Sequence, residues 1–474
     1  MSKGKLGVWV LTALVVGNMV GSGIFMLPTT LANDASPAGT ILAWLFTGAG
    51  VLMLALVFGS LALRKPEMSG GPQIYAKALF REGSTASTLS GYLVSWGYWV
   101  ANWAGNVAII TTFTSYLSTF FPILTSGAPL AKVGTFQITV GNISTFIVCS
   151  VLLWAVHFLI LQGIEGAGKI NFVATAAKVL GFVFFIIATL FVFEKANLVP
   201  FVQPRASSGG VTLGLMGQIN QAAIATLWAF VGVESAIVFS SRAKRRTDIK
   251  KATIYGLVLT IIIYIGITVL TMGALPQAQL MKANKPLVDA LAAAIGPAGG
   301  YLMAVLGLIC LLGSVIGWIL LSAEVAYQAE KQGLFLRIFG KENKKGVPVV
   351  SLVITNVMAQ IFLLSTLSQS IAKAYNFVIF IATLSYLVPY MVSALYQLKL
   401  TLTGETYEGQ KKTRTIEGII AFLAFIYSVW VVKAGTSDLK TFLFGVGLIV
   451  VGIVFYPFVR NNNLDTKSKE KRVA

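Results

Sequence analysis

The chain has 474 residues, 56% of them hydrophobic and only 11% charged. A soluble globular protein carries about 25% charged residues, so a soluble enzyme or a nucleic-acid-binding domain cannot make up the body of this chain. The formal charge of +19 follows topology instead: sorted along alternating spans with the N-terminus inside, 27 of the 36 Lys and Arg fall on one side, 8 on the other and Lys178 inside a span. That is the bias of a polytopic membrane protein towards positive cytoplasmic loops.

Apolar runs of membrane-spanning length recur near 8–33, 39–63, 88–121, 141–162, 169–193, 214–240, 252–274, 297–327, 348–367, 371–397, 415–433 and 440–459. The spacing predicts an all-α protein of twelve spans, with both termini on the cytoplasmic side. The first run follows Lys3 and Lys5 and reads as a retained span. It is long, lacks a small-residue cleavage site and contains a break.

That break is Gly21-Ser22-Gly23-Ile24-Phe25. Two glycines in mid-helix, each costing roughly 1 kcal/mol, should open the helix halfway across. The freed N–H groups at the start of the second half-helix suit an anion such as a carboxylate. The sixth span carries a second break, at Phe230-Val231-Gly232-Val233-Glu234-Ser235. Discontinuous helices in corresponding positions of two halves point to a transporter's binding site. Spans 1–5 (residues 1–200) and 6–10 (201–400) then form two five-helix repeats of opposite orientation. Residues 401–474 add two spans and a basic tail containing Lys467, Lys469, Lys471 and Arg472.

Between spans 2 and 3, Pro66 to Tyr75 has turn chemistry and Ala76 to Phe80 reads as an amphipathic stretch at the cytoplasmic interface. Gln332 to Pro348 is a similar basic stretch. The cluster Arg242, Lys244, Arg245, Arg246, Lys250 and Lys251 reads as a topology anchor. Cys149 and Cys310 lie in apolar runs and read as packing residues, as does His157.

Intramembrane charge is expensive and therefore informative. Glu234 sits at the second break, where its carboxylate either accepts hydrogen bonds from unwound backbone or acts as a gate. Lys178 lies inside span 5. Span 3 holds Tyr98, Asn102 and Asn106 on one face, and Trp228 and Trp318 lie in spans 6 and 8. Amide carbonyls and indole faces together suit a guanidinium or ammonium group. No metal-ligand cluster, nucleotide loop or nucleophile–base pair is legible. No cofactor and no enzymatic activity are therefore expected.

Both break motifs resemble the signature of the amino acid–polyamine–organocation superfamily. Further matches are Tyr98-Trp99, Trp103 to Asn106, Leu152 to Leu161, Gly317-Trp318 and Leu387-Val388-Pro389-Tyr390. Within it the chain is similar to the basic amino acid/polyamine antiporters, above all the bacterial arginine/ornithine group. The resemblance implies a LeuT-type five-plus-five inverted repeat. It places the substrate carboxylate at Ser22 and Gly23 and the amino group at carbonyls near Gly21 and Phe230, with Ile24 and Gly232 beside them as further substrate-binding residues. The side chain would lie against Trp228 and Trp318 with Asn106, while Asn102, read as substrate-binding from its place on the same face, departs from a smaller residue in one relative. Tyr98 and Glu234 match gate positions, and Lys178 would give a fixed or titratable coupling charge in place of sodium. It also implies a homodimer in a bacterial inner membrane. The expected activity is arginine/ornithine antiport. Arginine/agmatine or lysine/polyamine exchange, proton-coupled symport and an amino acid sensor are the alternatives.

Overall fold

The computed structural model describes residues 7–68, 71–133, 136–162, 174, 178, 180–206, 210–238, 243–368 and 370–459. The predicted first span is two helices, α1 (Val8–Met19) and α2 (Ser22–Asp34), meeting at a 47° bend. There follow α3 (Pro37–Arg64), the short α4 (Ile74–Ala78), α5 (Thr85–Leu117), strands β1 (Pro129–Val133) and β2 (Phe136–Thr139), and α6 (Val140–Leu161). Helix α7 is Leu180–Leu190. Strands β3 (Arg205–Ala206) and β4 (Thr212–Leu213) precede α8 (Leu215–Ala229) and α9 (Ser235–Val238), the two pieces of the predicted sixth span. The remaining helices are α10 (Arg246–Ala274), α11 (Gln277–Leu280), α12 (Pro286–Ile295), α13 (Pro297–Lys331), α14 (Val349–Leu363), α15 (Ile371–Thr403), α16 (Lys411–Gly435) and α17 (Leu439–Val451).

Among the described residues, eight helices are long and apolar enough to cross a membrane, and the bent pair α1–α2 makes a ninth if it is one span. The chain is therefore a polytopic helical protein. Helix α5 has 33 residues and no charge, yet it is too polar to qualify on hydropathy. Its Ser, Thr and Asn residues are tolerable because α13, α14 and α15 surround it and most of its length is buried. Helix α8 is short because the second break ends it.

Two expectations need correction. The chain is not purely helical: β1–β2 and β3–β4 are small antiparallel hairpins. Phe136-Gln137-Ile138-Thr139 alternates apolar and polar residues, the period of a strand with one covered face. The second correction concerns the predicted turn Pro66 to Tyr75, which ends at Gln73 because α4 already covers Ile74–Ala78. The five-residue α4 starts earlier and is pinned from both neighbours. Ser87 Oγ and Ser90 Oγ of α5 donate to Lys77 O and Ala76 O, and Lys399 Nζ of α15 donates to Ala78 O and Leu79 O at 2.9 Å. Lys3, Lys5, Ser69, Gly70, Arg242 and the basic tail lie outside the described residues.

The helices sort into packed groups. Helices α1, α3, α8 and α10 pack on one another, while α5 packs against α13 and α14, with α6 behind. Helix α15 bridges the groups through α5, α8 and α16. Ser36 caps α3 and donates to Gln218 Oε1 at 2.8 Å, tying the start of α3 to the start of α8. His157 is a packing residue, paired through Nδ1 with the Asn356 amide at 3.0 Å and flanked by Trp154 and Phe158. Both cysteines are free and buried.

At its other end α3 is fastened to α16. Glu417 Oε2 accepts from Arg64 Nε at 2.6 Å, Ser60 Oγ at 2.6 Å and Tyr407 OH at 2.7 Å. The Arg64 guanidinium lies 3.6 Å from the Tyr407 ring centre. Replacing Glu417→Ala strands these donors and should cost about 2 kcal/mol. A lowered melting temperature in detergent, with the affinity for substrate kept, is the expected result.

Candidate functional site

The two breaks meet in the middle of the molecule. Helix α1 stops at Met19 because Val20 and Gly21 leave helical geometry, and α2 restarts at Ser22. Backbone groups freed at membrane depth need partners inside the protein, and two carbonyls at the end of α1, those of Gly17 and Met19, take side-chain donors. Lys178 Nζ donates to Gly17 O at 3.0 Å. Tyr264 OH lies 2.7 Å from Met19 O and 2.8 Å from Ala229 O, the last carbonyls of α1 and α8. The Asn18 amide donates to Ser235 Oγ at 2.8 Å, which joins the first break to the start of α9.

The second break depends on glycine. Gly232 has φ +106, and a Cβ there would meet the Asn18 carbonyl carbon at 3.1 Å. Its N–H donates to Glu234 Oε2 at 3.0 Å. Glu234 also accepts from Tyr390 OH at 2.6 Å and Tyr98 OH at 3.1 Å. This buried carboxylate thus has three donors, from α5, α15 and its own unwound backbone. These hydrogen bonds bolt three elements together.

A cavity of about 20 Å³ lies between the breaks. Gly21, Ser22, Gly23, Trp228 and Trp318 line it, all of them expected at the site. Asn18, Met19, Gly105, Ile109 and Val231 complete the wall. Ile24 is buried in the core instead. The Phe230 ring packs between Trp44 and Tyr264, at 5.7 and 5.5 Å. Asn102 and Asn106 stand just behind the wall. The Asn102 amide donates to Tyr98 O at 2.7 Å. The Asn106 amide donates to Ser322 Oγ, which donates to Trp318 O at 2.6 Å. Among the described residues, Asn102 Oδ1 and Asn106 Oδ1 are buried without a hydrogen-bond partner, and the Tyr375 hydroxyl lies beside Ser22 and Trp228. Each unpaired buried group costs about 1–3 kcal/mol, so the site is set up to bond something polar.

The volume admits about one water. Small-molecule pockets begin at roughly 300 Å³. This conformation is closed, and an organic ligand enters only if the walls part.

Several of these residues escaped the sequence reading. Gly105 lies against the Trp228 indole, where a Cβ would stand 3.0 Å from Cη2. Tyr264 and Asn18 carried a usable signal: a phenol or amide inside an apolar run needs a hydrogen-bonding partner. Ser322 and Tyr375 carried none beyond their polarity.

A family model for amino acid permeases matches residues 6–466. The chain belongs to the amino acid permease family. It is 52% identical over 96% of its length to a Bacillus subtilis (strain 168) permease described provisionally as an arginine/ornithine antiporter, 97% of which is covered. It is 38% identical to an arginine/ornithine antiporter of Pseudomonas aeruginosa, over 96% of this chain and 91% of the relative. An arginine/agmatine antiporter of Chlamydia caviae is 34% identical, over 99% and 92%. The broken helices of this permease enclose its inner cavity.

Tyr264→Phe removes the donor that faces both half-helix ends and should destabilise the closed state by about 1–3 kcal/mol. Gly232→Ala forces a side chain into left-handed backbone against Asn18 and should cost a further about 1–2 kcal/mol. Melting temperatures of the purified variants test both.

Proposed function

We propose that this permease exchanges arginine for ornithine across a bacterial inner membrane by alternating access. The observation that carries this reading is the water-sized cavity between two broken helices, walled by the N–H-rich start of α2 and two indoles. The names of its full-length relatives supply the substrate pair. Both amino acids carry one net positive charge, so the exchange is electroneutral and needs no ion gradient. The chain acts as a carrier and not as an enzyme.

In this mechanism the substrate α-carboxylate bonds the N–H groups of Ser22, Gly23 and Ile24, where the α2 dipole is positive. The α-amino group bonds carbonyls near Gly21, Phe230 and Gly232, at the negative end of α8. The side chain lies between Trp228 and Trp318, with the free carbonyls of Asn106 and Asn102 as acceptors for its cationic end. The Glu234 cluster with Tyr98 ties α5 and α15 to the second break, which suits a gate that must loosen. Lys178 Nζ bonds the Gly17 carbonyl at the end of α1, where a bound cation would otherwise serve.

The architecture that goes with this is a twelve-span protein with both termini cytoplasmic, built on an inverted five-plus-five repeat. Helices α1–α3 and α8–α10 rock against α5, α6, α13 and α14. The mutual packing of each group supports that division. A homodimer completes the assembly.

The deciding measurement is uptake of labelled arginine into proteoliposomes preloaded with ornithine, agmatine, lysine or nothing. Uptake only with internal ornithine, insensitive to membrane potential, is expected. Preference for agmatine would assign the activity of the Chlamydia caviae relative, and uptake into empty vesicles driven by a proton gradient would make this a symporter.

Trp318→Leu should weaken arginine binding by about 1–2 kcal/mol, a five- to thirtyfold loss. Gly23→Val should abolish it, since a Cβ at Gly23 already meets Leu27 and the Ala229 Cα at 3.3 and 3.4 Å. Calorimetric titration of detergent-solubilised protein checks both.

A further inference from the structure

A second cavity, of about 910 Å³, lies among α2, α8, α15 and the turn between α16 and α17. It is many times larger than the closed inner cavity. The helix faces that wall it continue those of the inner site. On α2, Gly23 lines the inner cavity while Thr30 and Asp34 line the outer one. On α8, Trp228 lines the inner cavity while Gly217, Gln221 and Ile224 line the outer one. Spacings of three, four and seven residues keep each set on a single helical face. Asp34 stands about 16 Å further along α2 than Gly23. The outer cavity therefore stacks above the inner one.

A thin layer separates the two. The Tyr375 hydroxyl lies beside Ser22 and Trp228. One residue on, Asn376 Oδ1 accepts from Thr30 Oγ1 at 2.9 Å, which joins α15 to α2 across the path.

The charges of the outer cavity match a particular ligand. Its walls carry two carboxylates, Asp34 and Asp438, and one ammonium, Lys373. No ion pair among the described residues joins Lys373 to either acid. Asp34 Oδ1 accepts from the Gln221 amide at 3.1 Å, and Asp438 caps α17 through Thr441. An amino acid with a cationic side chain carries the inverse set, two cations and one carboxylate. We propose that this cavity is an outer vestibule site that holds such an amino acid before it passes the Trp228–Tyr375 layer. Its cationic groups face Asp34 and Asp438, and its carboxylate faces Lys373. Complementary charge at a channel mouth acts chiefly on capture, and salt screens it.

This inference rests on the exchange reading and on the topology that puts the end of α2 outside. Side-resolved kinetics test it. Arginine–ornithine exchange is measured on intact cells for the outer face and on inside-out vesicles for the inner face. Asp34→Asn should raise the outer-face KM for arginine about fivefold, the upper end of what a solvent-screened charge pair contributes, at a carboxyl that is only partly exposed. It should leave the inner-face KM within twofold and flatten the dependence of the outer KM on salt. Asp34→Glu should restore the wild-type values. Lys373→Gln, at an exposed position where folding is not at stake, should also raise the outer KM. Wild-type exchange with an outer KM that neither variant moves, or a KM raised equally at both faces, overturns the vestibule alone. Absence of arginine–ornithine exchange in the wild type overturns the exchange reading and the vestibule with it.

Discussion

Backbone groups opened at membrane depth have no water to turn to, and the centre of this protein follows from that constraint. Breaking two helices releases carbonyls on one side of each gap and N–H groups on the other. The carbonyls are taken up by Lys178, by Tyr264 and by the short turns of the breaks themselves. One glycine N–H goes to Glu234. What remains is the start of α2, whose N–H groups and Ser22 hydroxyl face a cavity with two indoles.

The same bonds explain why the cavity is closed. Asn18 reaches Ser235, Gly232 packs on Asn18, and Gly105 accommodates the Trp228 ring. Each contact crosses between pieces that must separate for a ligand of amino acid size to enter. None is a long-range ion pair. They are short hydrogen bonds and close backbone approaches, which are lost over small displacements.

Much of this was legible from residue order. Gly21-Ser22-Gly23 and the Gly232–Glu234 stretch located both breaks because glycine and carboxylate are anomalous inside apolar runs. The two tryptophans reached the cavity wall as expected. What the sequence could not show was orientation. Asn102 and Asn106 share a helical face, yet that face looks towards Ser322 and the α5 backbone, and the neighbouring Gly105 and Ile109 form the wall. Phe230 sits in the break, but its ring is drawn towards Trp44 and Tyr264. The phenol of Tyr264 inside an apolar run signalled a buried partner, but which carbonyls it serves was not legible, since they lie far along the chain. The hairpins were missed because strands of two to five residues barely register against membrane-length periodicity.

The clasp at Glu417 has a mechanical consequence. Arg64 and Ser60 belong to α3, and Tyr407 and Glu417 to the start of the α16 segment, so one carboxylate ties the two helices at one end. Towards the opposite end, the Phe46 ring of α3 lies 4.7 Å from that of Trp430. Two attachment points more than a dozen residues apart remove the freedom to slide and to tilt. Helix α15 shares the clasp, with Gln397 Nε2 3.4 Å from Glu417 Oε2 and Arg414 of α16 donating to the Thr401 and Leu402 carbonyls, so α16 is a splint that fastens α3 to α15.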